Sequence, residues 1–230
     1  MRILAVGPHP DDVEFGCAPI LILEARNGHE VKLAITSRGE SSTHGTPEGR
    51  EEEARAAARE IGAELSYLEM GGDCHVEPNV ANRIRMAREI REYRPNILLA
   101  PYPSENQHPD HTAVGRIVRD AARLARYGGV AELRDLRPHA IGHLYYYAIT
   151  THIEALPEIV VDVTSVFDQW QRAIQCHKSQ TANREYLELV TSRARSLGLS
   201  VGTQYAVPLW LNDPIRISSL TELGVSARRF

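Results

Sequence analysis

Apolar positions along the chain fall into short aliphatic or tyrosyl runs separated by longer stretches whose apolar residues recur at helical spacing. The runs Arg2–Val6, Glu30–Thr36, Leu65–Glu69, Asn96–Ala100 and His143–Ile149 read as strands. Between them, Val13–Asn27, Pro47–Ile61, Glu77–Tyr93 and Thr112–Tyr127 read as helices. Pro47 stands where a missing N–H costs nothing, and Gly62 supplies the stop of the second helix. In the fourth, Val114, Ile117, Val118, Ala121 and Leu124 make one buried stripe. Such alternation with short links predicts an α/β, Rossmann-like three-layer sandwich, a mostly parallel sheet with helices on both faces. The last third departs from this alternation, with a strand at Glu158–Val163, a helix at Thr164–Lys178 capped by Thr164, and a helix at Asn183–Leu197 ending at Gly198. No repeat or linker divides the chain, so residues 1–230 are expected to form a single domain.

Composition narrows the class. With 230 residues, 43% apolar and 24% charged, the chain can bury one core. A net charge of -4 leaves no basic footprint for nucleic acid. The apolar run Ala18–Leu23 is far too short to span a membrane. Strand-like sequence begins at Arg2, so no signal peptide is expected. Cys17, Cys74 and Cys176 form no CxxC pair, which argues against a disulfide framework and against a thiolate zinc site and for a reduced, cytoplasmic protein.

Chemistry concentrates in two short clusters. Pro8-His9-Pro10-Asp11-Asp12 follows the first strand, and Gln107-His108-Pro109-Asp110-His111 follows the strand at Asn96. Parallel sheets bind ligands at the carboxyl ends of their strands, so three histidines and three aspartates are expected in one crevice. Imidazole and carboxylate are natural zinc ligands, and a catalytic site takes three of them plus water. The surplus can serve as general base and acid. Either cluster alone reads better as a turn built by proline and aspartate; two at corresponding strand ends favour catalysis.

His9-Pro10-Asp11-Asp12 with His108-Pro109-Asp110-His111 resembles the LmbE/PIG-L zinc-dependent N-deacetylases, and the likeness extends over nearly the whole chain. Arg38-Gly39-Glu40, Gly45-Thr46 leading to Arg50, Glu53, Val160–Thr164, Lys178-Ser179-Gln180 and Gly202–Ala206 are similar to the bacillithiol-biosynthesis branch, which deacetylates N-acetylglucosaminyl malate. The resemblance implies Zn2+ on His9, Asp12 and His111. It implies Asp11 as general base, His108 as the group that stabilises the intermediate and protonates the amine, and Asp110 as the residue orienting a histidine. Arg50, Glu40, Lys178 and Gln180 become substrate-contact candidates, and Arg50 with Lys178 suits an anionic substituent. A homo-oligomer built from trimers, such as a hexamer, is also implied. Departures occur at Ala18-Pro19, expected to reshape the pocket mouth, at His177 and at Val207.

Other residues have plainer readings. Asp73, in Gly71-Gly72-Asp73-Cys74-His75, is a candidate for a sugar hydroxyl, and the loop at Ser41–His44 for a mobile lid. Glu51 and Arg55 suit an i,i+4 surface pair. His29, His139, His143 and His152 stand alone, and Tyr145–Tyr147, Trp170 and Trp210 read as packing. The functions left open are deacetylation of an N-acetyl amino sugar, hydrolysis of another amide such as a thiol conjugate, and sugar binding without catalysis. The last predicts a glycine-rich phosphate loop after the first strand, where Asp11 and Asp12 stand instead.

Overall fold

A computed structural model describes residues 1–104, 108–149, 153, 155–182, 185–224 and 226–227. Strands β1 (Arg2–Gly7), β2 (Glu30–Ile35), β3 (Glu64–Tyr67), β4 (Ile97–Pro101), β5 (His143–Tyr147), β6 (Ile159–Asp162) and β7 (Ala206–Leu211) form one sheet in the order β3-β2-β1-β4-β5-β7-β6. The first five are parallel, as the strand–helix alternation requires, with Ile3 beside both Val31 and Ile97. β7 runs antiparallel to both β5 and β6.

Alternate β1 side chains enter opposite layers. Ile3 and Ala5 pack with Leu21, Ile61 and Trp170, from α2 (Ala18–Arg26), α3 (Pro47–Ile61) and α6 (Phe167–Gln175). Leu4 and Val6 pack with Met86 and Ile117, from α4 (Val80–Tyr93) and α5 (Pro109–Arg126). Tyr147 and Trp170 are fully buried, with the Tyr147 hydroxyl donating to Val6 O and the Trp170 indole to Glu14 O. Among the described residues no helix is long and apolar enough to cross a membrane.

Several boundaries differ from the sequence pattern, each for a local reason. The helix expected at Val13–Asn27 is two, α1 (Asp12–Gly16) and α2, because Pro19 cannot donate to the carbonyl four residues back and Cys17 leaves helical geometry at φ -140°. Ala18 and Pro19 are buried at the start of α2 and do not line the cavity, so their expected effect on the pocket mouth is not seen. α5 begins at Pro109 rather than Thr112, since the His108 ring, an unusual cap, accepts from Asp110 N–H. Thr164–Lys178 divides into a 3-10 turn (Thr164–Val166), α6 and α7 (Lys178–Thr181). The expected Thr164 cap is replaced by Asp162, which accepts from the Thr164 amide and hydroxyl. α8 (Tyr186–Val201) runs through Gly198, whose missing Cβ lets Gln204 backbone approach, and stops at Gly202, φ +80°. β7 escaped the pattern because Pro208 inside it argues against an interior strand.

Candidate active site

The order β2-β1-β4 puts the chain reversal between β1 and β4, where open α/β sheets leave a crevice beyond their carboxyl ends. Both His-Pro-Asp clusters open into it. α1 carries Asp12, and the first turn of α5 carries Asp110 and His111. His9, Asp11, Asp12, Asp110 and His111 are all buried.

Asp12 faces two imidazoles. Its Oδ2 lies 3.0 Å from His9 Nδ1 and accepts the His9 amide at 2.9 Å, and its Oδ1 lies 3.3 Å from His111 Nε2. His9 Nε2 is 3.1 Å from Asp110 Oδ2 and 3.0 Å from Asp73 Oδ1, so carboxylates flank the ring on both edges. Burial opposes charge on His9, but the Asp12 charge and the hydrogen bonds of Asp110, Asp12 and Asp73 outweigh it and raise its pKa. Asp12 is buried too, yet His111 and His9 hold it well below the usual carboxylate range. His9, His108 and His111 can offer ring nitrogens within 4.8 Å of one another. Two imidazoles closing on one carboxylate suit a borderline divalent cation, and carboxylates behind His9 are the usual outer support of such a ligand. The donor set fits a divalent metal ion.

Asp11 points elsewhere, as adjacent residues with different backbone geometry do. It sits at φ 113°, a strained conformation for a side chain other than glycine. Arg50 holds it there: Nη2 donates to Pro10 O at 2.7 Å and Asp11 Oδ2 at 3.2 Å, and Nη1 to Gly39 O at 3.2 Å. A Cβ at Gly39 would collide with this guanidinium. Burial and the neighbouring Asp12 charge push the Asp11 pKa up to about 7, with Arg50 opposing them. His108 shifts downward, through burial and the His9 charge.

Asp11, Arg50, Asp73, Cys74, His108 and Gln180 line a cavity of about 430 Å³. Its apolar wall is Phe15, Ile149 and Tyr186, none of them singled out from sequence. Phe15 had a signal, standing one helical turn beyond Asp12; Tyr186 had none. The Ser41–His44 loop also lines the cavity, tied by Gln180 Nε2 to His44 O at 3.0 Å. Glu40 is exposed, does not line the cavity, and accepts the Asp73 amide at 2.9 Å. Lys178 lies outside, in an exposed hollow beside Glu52 and Arg172. Asp73, expected at a sugar hydroxyl, supports His9 and accepts Ser41 N–H at 3.2 Å. His177 is wholly buried, 3.3 Å from the equally buried Glu14. Gln107 and His152 lie outside the described residues.

Residues 4–122 match the family described as PIG-L, GlcNAc-PI de-N-acetylase. The chain belongs to the PIG-L family. It is therefore an enzyme of a family of metal-dependent amide hydrolases, which sets aside the reading as a binding module without catalysis. It is 28% identical to a probable N-acetyl-alpha-D-glucosaminyl L-malate deacetylase 2 of Bacillus cereus over 78% of this chain and 84% of that protein. It is 27% identical to a 4-oxalmesaconate hydratase of Pseudomonas putida over 80% of this chain and 75% of that one. The crystal structure of the conserved protein TT1542 from Thermus thermophilus superposes with a TM-score of 0.85 at 29% identity, covering 94% of this chain and 96% of that one. The sheet that presents the paired loops is thus shared with a solved relative over nearly its whole length.

Proposed function

We propose that this PIG-L protein is a zinc-dependent deacetylase acting on a small N-acetylglucosamine-containing glycoside, with N-acetylglucosaminyl malate as the favoured substrate. In this reading His9, Asp12 and His111 hold the metal. Bound there, zinc supplies an acidified water and a Lewis-acid contact for the acyl oxygen. Asp11 takes the proton of the attacking water, and its pKa near 7 suits a base that must later release it. His108 protonates the departing amine as an imidazolium and is left as neutral imidazole; in the resting neutral ring Nδ1 accepts Asp110 N–H, so Nε2 carries the proton. Asp110 and Asp73 keep the His9 ring oriented. One observation carries the proposal: His9 and His111 both close on Asp12 while Asp11 and His108 line the same cavity.

The malate aglycone is supported by similarity to the Bacillus cereus protein rather than by a waiting cation, because Arg50 is engaged with the protein and Lys178 lies outside. The same reading expects a trimer-based homo-oligomer in a reducing cytoplasm, with sedimentation velocity testing the assembly. The functional test is acetate release from N-acetylglucosaminyl malate before and after chelation, with zinc added back. Loss and recovery are expected; release indifferent to chelation would refute the mechanism. Parallel assays on acid-free N-acetylglucosaminides, thiol-conjugate amides and 4-oxalmesaconate hydration separate the rival substrates.

A further inference from the structure

Three donor atoms outside the His9–Asp12–His111 set converge on the opposite side of the His9 ring. Cys74 Sγ lies 3.4 Å from Asp73 Oδ1 and 3.6 Å from His108 Nε2, and those two atoms are 3.8 Å apart. Tetrahedral zinc, with bonds of about 2.3 Å to sulfur and about 2.0–2.1 Å to nitrogen or oxygen, spaces its donors roughly 3.3–3.6 Å apart. The triangle therefore matches one face of a zinc coordination sphere within a few tenths of an ångström. All three residues line the cavity, and Cys74 is exposed, so an ion can enter and its fourth position is open to water. Cys74 adopts φ +67°, unusual for a residue with a side chain, and its amide donates to Asp110 Oδ2 at 2.8 Å. The loop is thus anchored with its thiol beside His108.

We propose that Asp73, Cys74 and His108 form a second, inhibitory site for zinc, distinct from the catalytic one. Binding displaces the thiol proton to solvent and forms a sulfur–zinc bond. It also moves the His108 proton from Nε2 to Nδ1, breaking the 3.2 Å bond from Asp110 N–H. That loss makes the site the weaker of the two, filled only in zinc excess. Once filled, it removes from Nε2 the proton that the leaving amine needs. The inhibitory part rests on the role of His108 proposed above; the binding part does not.

The test uses the metal-loaded enzyme. Equilibrium dialysis against zinc should find a second ion per chain, and cadmium should add a thiolate charge-transfer band in the ultraviolet. In Cys74→Ala the band should vanish and the second affinity fall at least ~10-fold, the scale on which even outer partners of metal sites count. Cys74→Ser should bind between the two. One ion per wild-type chain, or a band that survives in Cys74→Ala, overturns the site. Each protein's rate in excess zinc is then compared with its own rate without it. Inhibition should need at least ~10-fold more zinc in Cys74→Ala; a second ion that binds without slowing wild type overturns the inhibitory role while leaving the deacetylase reading intact. No acetate release under any condition, with two ions bound, refutes that reading and leaves the second site standing.

Discussion

Replacing Arg50 with methionine tests whether this arginine serves the substrate or the scaffold. Its side chain is 4% exposed, and the guanidinium bonds Pro10 O, Gly39 O and Asp11 Oδ2. Methionine fills much of the volume but leaves two buried carbonyls and one buried carboxylate without their donor. Breaking a buried pair from one side costs roughly 3–5 kcal/mol, and the orphaned carbonyls add to this at about 1 kcal/mol each or more. Protonation of Asp11 limits the total, so a net loss of ~3–5 kcal/mol is expected near pH 8, or roughly 6–20 °C in Tm for a chain of this size. The sign with pH follows from Asp11. Its folded pKa is already raised to about 7, and Arg50 is the group pulling it down. Without Arg50 it rises further, so the ionised base appears at higher pH and the acid limb of kcat/KM moves up. The stability deficit should shrink at pH 5, where Asp11 is protonated in wild type and variant alike. Calorimetric unfolding at two pH values and a pH–rate profile decide the matter. A variant with unaltered Tm and acid limb, and only a higher KM, would falsify the scaffold role and restore Arg50 as a sugar contact.

Other outcomes follow from the same geometry. The carboxylates around His9 raise its pKa and favour its protonated form in metal-free protein, so zinc binding should release a proton and tighten as pH rises; calorimetric titration in buffers of different ionisation enthalpy reads this. Asp11→Ala should keep its zinc while losing ~100-fold or more in turnover, whereas His111→Ala should fail to retain zinc by emission spectroscopy. Gly198→Ala places a Cβ 2.7 Å from the Gln204 carbonyl and should lower stability by about 1–3 kcal/mol in chemical denaturation. Lys178→Ala should change kcat/KM less than twofold, because the side chain lies outside the cavity.

Local pattern was enough for much of this architecture. Period-2 and period-3.6 spacing located β1 to β6 within about two residues at each end, and α3 to the residue, because each of those signals lies within a dozen neighbouring positions. The same economy exposed the two His-Pro-Asp clusters: residue type announces metal chemistry, and strand ends are where parallel sheets present it. The single helix read across Pro19 divides there, a local break that the apolar spacing hid, and β7 went unread because the place of the strand around Pro208 depends on neighbours far away in sequence.

What the chain alone could not assign are the partners of each group. Asp73 and Arg50, read from sequence as substrate contacts, both line the cavity, but only the fold shows that Asp73 also stands against His9 and that Arg50 also bonds Asp11 and two carbonyls. Hydrogen bonding acts over about 3 Å, whereas His9 and Asp110 stand 101 positions apart in sequence. Composition names the reactive groups; only the packing of the sheet and its loops decides which of them meet, and hence which binds, which supports and which reacts.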